Sequence, residues 1–427
     1  MKKRLLDWLL CPACGERPEL HVFQEAKVEI PEPVAAPACS FWCGRHKIVE
    51  PQEGAPVPDC NACYREEILD AALACRCGLV YPVIDGIPRM IRNAREEYPE
   101  FFARYDLDRQ DTAGELAAAP PPPAEPVADA RSPRSFRMQW TLYQEGDHTW
   151  FKDDADLRKR EFLFNLDTAA EELRGRTMLD AGCGNGELTR AVAEYGVEIV
   201  AMDFSRSVER ARQRLFDKGF PVSHRVHYLQ GNVLELPLRR QSFDLVHSSG
   251  VLHHTPSTER AFRSVAQAPR PGGKLYVQLY RRRPTWIHVT NVALRSVTTR
   301  LPMGLLYGLC YMTTPVHAAL SRLMHLLRGE PAPPRATARE RAVQMFDNYS
   351  PRYQYRHTVP EILELFRSAG YENPKDVTLE NEARHMLAVL GTRSAKAPVR
   401  APAEEGAEEA RQTAQLPAGI RTLTTSL

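Results

Sequence analysis

Short apolar runs at 177–182, 198–204, 226–231, 243–249 and 273–280 read as buried strands, and amphipathic stretches starting at Gly186, Ser205 and Pro256 read as helices between them. Strands that alternate with helices predict an α/β fold, a parallel sheet covered on both faces. Upstream, residues 154–173 have the period of an amphipathic helix and follow the aromatic residues Trp140, Tyr143, Trp150 and Phe151. Downstream, an insertion of about 75 residues, too long for a simple connection, leads to a helix at Val359 to Ser368 and a last strand at His385 to Gly391. Residues 117–130, with prolines from Pro120 to Pro123, lack either period and read as an extended linker. The Ala-, Glu-, Pro- and Thr-rich segment after Arg393 reads as a disordered tail. There is no internal repeat. The predicted organisation is a cysteine-rich module at 1–92, a linker at 93–134, a globular α/β domain at 135–393 with an inserted cap at 281–350, and a tail at 394–427.

Length supports this division, since 427 residues suffice for two folded units plus flexible segments. Lys and Arg total 56 against 54 Asp and Glu. That balance disfavours a dedicated nucleic-acid binder, which carries a basic stripe. Residues 1–11 place basic residues before apolar ones, as an export leader does, but the apolar run is short and Asp7 interrupts it. A short helix packed on the following module is the expectation, and with it a cytoplasmic location where thiols stay reduced.

The densest chemistry lies at the end of the first strand. Met178-Leu179-Asp180-Ala181-Gly182-Cys183-Gly184-Asn185-Gly186 is a strand, an acid and an alternating-glycine turn, and Asp203 ends the next strand. Glycines there let the backbone approach a ligand and turn into a helix, while the second acid meets ribose hydroxyls, so the pair predicts a nucleotide-type cofactor cradle. Cys183 is read as a small buried residue, since no activating base is near it in sequence.

The Asp-x-Gly-x-Gly-x-Gly spacing departs from the dinucleotide fingerprint and resembles class I S-adenosylmethionine (SAM) methyltransferases. Ser242 to His254 resembles that family's post-motif region, and Arg270-Pro271-Gly272-Gly273-Lys274-Leu275 its turn into the fifth strand. The likeness is to the ubiquinone and menaquinone biosynthesis type and covers roughly residues 175–280. It implies a Rossmann-like core with a mostly parallel seven-stranded sheet, SAM as cofactor, and an enzyme that transfers a methyl group. It implies cofactor binding by Asp180, Gly182, Gly184, Gly186 and Asp203, with Asn232 and Val233 where relatives place an acid on the adenine amino group. A neutral amide oxygen can still accept that hydrogen bond.

Eight of the ten cysteines fall between Cys11 and Cys77. Cys11-Pro12-Ala13-Cys14 and Cys75-Arg76-Cys77-Gly78 form two chelating turns suited to a tetrahedral zinc site. Cys39, Cys43, Cys60 and Cys63 make a second set, so one or two ions are expected, with His21 or His46 able to replace a cysteine. The module's ends, Leu5 to Cys14 and Tyr81 to Pro88, resemble the small zinc-ribbon domain that partners or is fused to methyltransferases. Cys75-x-Cys77 replaces that family's Cys-x2-Cys.

A methyl acceptor that carries a proton requires a base. His253 and His254 are candidates at the mouth of the expected site; the alternative is that they cap the helix near Pro256. Trp140 and Tyr143 either fold over the methionine end of the cofactor or pack in the core. Tyr353, Arg356 and His357 either line the acceptor site or belong to a solvated loop before a helix capped by Thr358. The insertion opens with Arg281-Arg282-Arg283 and is apolar and aromatic from Leu301 to Leu327. It fits a cap over an apolar or aromatic acceptor, or a peripheral membrane contact through 281–330; Pro302, Pro315 and His317 argue against a span. The acceptor expected is a small molecule such as a quinone, lipid, polyketide or sugar intermediate. The alternatives are RNA or protein recognised by the zinc module, and a non-enzymatic zinc-bearing scaffold. The sequence leaves the oligomeric state open.

Overall fold

A computed structural model describes residues 1–30, 39–45, 60–107, 131–142, 155–217, 223–282, 285–327, 329, 336–380, 382–383 and 385–395. His46, the proline run, Tyr143, Trp150, Phe151 and residues 396–427 lie outside this set. The strands are β1 (Glu19–Lys27), β2 (Glu66–Ala74), β3 (Val80–Ile84), β4 (Ile87–Met90), β5 (Thr177–Ala181), β6 (Glu198–Asp203), β7 (Val226–Gly231), β8 (Phe243–Ser249), β9 (Pro269–Tyr280), β10 (Tyr371–Asp376) and β11 (Met386–Arg393). They form one sheet in the order β1-β2-β3-β4-β7-β6-β5-β8-β9-β11-β10.

The seven strands from β7 to β10 are the Rossmann-like part. β5 to β9 run parallel, and β11 enters antiparallel beside β9. Order reverses at β5, which pairs with β6 on one side and β8 on the other, so a crevice opens at the carboxyl ends of these strands. Helices Glu187–Ala193, Ser207–Asp217, Thr258–Val265 and Val359–Ser368 cover the sheet. The last starts at Thr358 with a capping box closed by Glu361.

The cysteine-rich module is not a separate bead. Its β4 pairs parallel with β7, Arg89 against Gln230 and Met90 against Gly231, so the hairpin strands of the module extend the core sheet. One apolar cluster crosses the junction, joining Leu5, Trp8, Ile68 and Val83 to Leu229, Phe243 and Val246. Buried charge seals it. Arg4 Nε donates to Glu198 Oε1 at 3.3 Å, Tyr64 Oη donates to the same oxygen at 2.6 Å, and His227 Nε2 lies 3.0 Å from it. Burial pushes the Glu198 carboxyl up, but Arg4 and His227 more than offset this and hold it at about 2. Asp7, the residue that interrupts the apolar run, accepts backbone N–H groups from Ser40, Phe41 and Trp42 at 2.9, 2.7 and 2.6 Å. It ties down the stretch between Cys39 and Cys43.

Packing extends beyond the predicted module boundary. Helices Ala94–Glu97 and Pro99–Arg104 bury Ala94, Phe101 and Phe102, and Tyr105 stacks on Phe23 with ring centroids 4.1 Å apart. The insertion is helical: Thr285–Thr298, Met303–Met312, Thr314–Leu327 and Ala338–Tyr349. The last of these packs on the others and on helix Arg131–Leu142.

Candidate active site

Asp180 lies one residue before the end of β5 and is buried. Its Oδ2 accepts from Thr189 Oγ1 at 2.6 Å. The turn beyond it requires glycine: Gly182 sits at φ +99°, where a Cβ would meet Val251 Cγ2 at 2.1 Å. At Gly184, φ +55°, a Cβ would meet the Trp140 ring at 2.5 Å, so the indole lies directly over the turn. Asp203, at the end of β6, accepts Gly184 N–H on Oδ2 at 2.9 Å, and Ser205 N–H and Oγ–H on Oδ1 at 2.8 and 2.7 Å. Burial raises its pKa against the pull of those donors. A lone pair on Oδ2 remains for a further donor.

These groups open onto one cavity of about 590 Å³, the size of a small-ligand site. Asp180, Gly182, Gly184, Asp203, Asn232 and Val233 line it together with Trp140, His254 and Tyr353. Asn232 Oδ1 accepts Leu234 N–H at 3.0 Å. Gly186 stands just behind the turn, where a Cβ would meet Ala211 at 2.9 Å.

The two neighbouring histidines separate in role. His254 reaches the cavity, and its Nδ1 lies 2.9 Å from the Tyr353 carbonyl oxygen, which fixes the neutral tautomer with Nε2 as the free base. Burial lowers its pKa to about 4. His253 is fully buried outside the lining, against Tyr280 at 4.1 Å between ring centroids, and neither ring nitrogen has a hydrogen-bond partner among the described residues. It fills the core. Arg356 and His357 also lie outside the lining. Arg356 donates to the Arg281 carbonyl and stacks over Tyr280, while His357 pairs with Thr258 Oγ1 at 3.1 Å. Both pin the chain beside the end of β9. Cys183 is buried, and burial raises its thiol well above the usual range.

Several lining residues carry no motif. Phe136 and Gln139 come from helix Arg131–Leu142, Asn165 from helix Ala155–Leu166, and His247 from β8, where it stacks on Tyr276 with centroids 4.9 Å apart. The module contributes Pro12, Arg92 and Asn93. Arg92 Nε is 2.9 Å from Glu235, another lining residue, and this ion pair fastens the module to the loop after β7.

In the module, the sulfurs of Cys11, Cys14, Cys75 and Cys77 all lie within 4.8 Å of one another, with Cys11 to Cys77 at 3.7 Å and Cys14 to Cys75 at 3.3 Å. Sulfurs about 2.3 Å from a tetrahedral zinc would be just under 4 Å apart, so the four fit that ion. Cys39, Cys43 and Cys63 join no cluster of three or more ligand residues among the described residues, and the Cys60 side chain lies outside that set. His21 is exposed on β1, away from the four sulfurs.

Residues 179–277 match a protein-family model described as a methyltransferase domain. Among curated proteins, the ubiquinone biosynthesis O-methyltransferase of Xanthomonas euvesicatoria pv. vesicatoria (strain 85-10) is 32% identical over 134 residues, covering 31% of this chain and 55% of that protein. The protein of the same name from Proteus mirabilis (strain HI4320) is 28% identical over 137 residues, covering 32% and 54%. The chain thus spans about half the length of the curated relatives it matches. Among solved structures, magnesium protoporphyrin IX methyltransferase from Synechocystis PCC 6803 with bound SAH has a TM-score of 0.37 at 15% identity, covering 60% of this chain and 94% of that one. The YcgJ protein from Bacillus subtilis has a TM-score of 0.37 at 14% identity, covering 55% and 99%. By its sequence match, its strand order and its glycine turn, the segment 179–277 belongs to the class I, SAM-dependent methyltransferase domains.

Proposed function

We propose that this protein transfers a methyl group from SAM to a small-molecule acceptor. The observation that carries the reading is one continuous cavity that joins the glycine turn and Asp203 to the neutral, tautomer-fixed imidazole of His254. Bound SAM would supply a methyl group already activated by its sulfonium. What remains for the chain is to hold both partners in line and exclude water. Asp203 offers its remaining lone pair to ribose hydroxyls, the glycine turn leaves room for the cofactor where a Cβ would stand, and Trp140 closes over the turn. Phe136, Val251, Tyr280 and Met386 give the cavity an apolar side suited to an apolar or aromatic acceptor. The relatives' name as O-methyltransferases favours an oxygen as the accepting atom, and His254 Nε2 would take its proton.

Zinc at Cys11, Cys14, Cys75 and Cys77 completes the proposal as a structural ion. Cys11 lies directly before Pro12, which lines the cavity, so the ion would hold one wall of the site. The decisive experiment incubates the protein with methyl-labelled SAM and host-cell lysate, then separates protein, RNA, organic-extractable and polar small-molecule fractions. Label in a small-molecule fraction supports the proposal; label in RNA or protein refutes it and makes the zinc module a recognition domain. Calorimetry with Asp203→Ala tests the cofactor assignment separately, and unchanged SAM affinity would overturn it.

A further inference from the structure

The insertion wears its apolar residues on the outside. In helix Thr314–Leu327, Val316, Leu320, Leu323 and Leu327 follow the i, i+4, i+7, i+11 spacing of a single stripe. They are 62, 57, 49 and 71% exposed. The partly buried side of the same helix carries Ala318, Ser321 and His325. A helix of a water-surrounded domain does the reverse and turns its apolar stripe inward. Met303–Met312 repeats the arrangement: Leu306 and Cys310 pack on Ala342 and Phe346, while Leu305, Leu309 and Met312 face outward. In Thr285–Thr298, Arg295 and Thr298 are buried and Val289, Val292 and Val297 are exposed. Single exposed apolar residues need no explanation, but three successive helices with outward stripes mark a contact surface.

Charge identifies what covers it. Between Arg281 and Gly329 the chain has seven arginines and no Asp or Glu. Arg282 is engaged by Glu361 and Arg295 is turned inward, whereas Arg300 and Arg322 are exposed beside the stripes. A second copy of the chain would set carboxylate-free faces carrying Arg300 and Arg322 against each other, which is repulsive. Anionic headgroups over an apolar layer complement both features at once. No described helix is long and apolar enough to cross a membrane. We propose that helices Thr285–Thr298, Met303–Met312 and Thr314–Leu327 seat on the surface of an anionic lipid bilayer, lying in its plane with their outward stripes among the acyl chains.

The proposal does not depend on methyl transfer, and its test keeps the two apart. The full chain is sedimented with vesicles of phosphatidylcholine alone and of phosphatidylcholine with one-third phosphatidylglycerol. Binding to the anionic vesicles is expected, and it should weaken with salt without disappearing. A Leu320→Glu/Leu323→Glu/Leu327→Glu variant should partition roughly 1,000-fold more weakly, because each of the three leucines withdrawn from the apolar layer removes about tenfold. Arg300→Glu/Arg322→Glu should lose the preference for anionic vesicles. None of these five residues lines the cavity, so both variants should bind SAM as the wild type does, which also verifies folding. Wild type remaining in the supernatant with both vesicles, or a triple variant that pellets undiminished, overturns the proposal. So does a wild-type oligomer, seen by light scattering, that the triple variant dissolves, since the face would then belong to a second copy.

Discussion

Replacing Arg4 with methionine should unfasten the cysteine-rich module from the α/β core. Glu198 is 2% exposed and depends on Arg4, His227 and Tyr64 for its charge. A carboxyl held at about 2 instead of its ordinary 4.5 gives the folded chain about 3 kcal/mol at neutral pH. Arg4→Met removes the largest favourable partner of Glu198 and also the Arg4 Nη1 donor to Asp7 Oδ2 at 3.0 Å, so a loss of at least about 3–5 kcal/mol is expected. Urea unfolding at pH 7, followed by intrinsic fluorescence and far-UV circular dichroism, measures it. Arg4→Met/Glu198→Gln should recover part of the loss, since the amide keeps partners in Tyr64 and His227 and only Asp7 is left without its guanidinium. Because folding depresses this carboxyl, its contribution is complete above pH 4.5 and fades as the pH falls toward 2; Glu198→Gln should remove that dependence. A single-mutant loss below about 1 kcal/mol, or a double mutant no more stable than the single, would refute the argument.

Gly182→Ala should cost about 2–5 kcal/mol, combining a left-handed backbone with overpacking against Val251, measurable by thermal unfolding. His254→Gln should lower kcat by about 10²- to 10⁴-fold on an acceptor that must lose a proton. The wild-type rate should be flat above the pKa of about 4 and fall below it as the imidazole protonates, and a stopped pH series that finds no such limb removes His254 as the base. Elemental analysis of freshly reduced protein should find zinc; Cys14→Ser/Cys75→Ser should lose the ion of the Cys11, Cys14, Cys75 and Cys77 cluster and lower the melting temperature, and equal zinc in both proteins would displace it from these ligands.

The core strands were legible because they are continuous apolar runs of the kind a doubly covered sheet demands, and β5 to β8 begin and end within a residue or two of their predicted limits. Tyr371–Asp376 escaped notice because Tyr-Glu-Asn-Pro-Lys-Asp is a turn composition that only an edge strand tolerates. The glycine turn and Asp203 announce themselves through spacing. Gln139, Asn165 and His247 do not, since they reach the cavity from unrelated elements and only the fold converges them. For the same reason the pair His253 and His254 look equivalent in sequence, while in the fold the two rings touch and only His254 reaches the cavity. Composition marked 93 as the start of a linker; aromatic packing of Tyr98, Phe101 and Tyr105 carries the fold through Leu107.

The shared sheet has a practical consequence for anyone who dissects the protein. Its present borders are guarded: β1 breaks register around Val22 to Glu25 and carries Glu19 and Lys27, and β10 presents Glu372, Pro374 and Lys375. β7 has no such protection, because every one of its residues is buried beneath or beside its neighbours. A fragment that begins after residue 93 would strip β4 from Gln230 and Gly231 and uncover the rest of this buried strand, leaving a rim with unpaired N–H and C=O groups. Such a rim templates strand addition from other copies, so the isolated α/β half should aggregate on expression where the full chain does not.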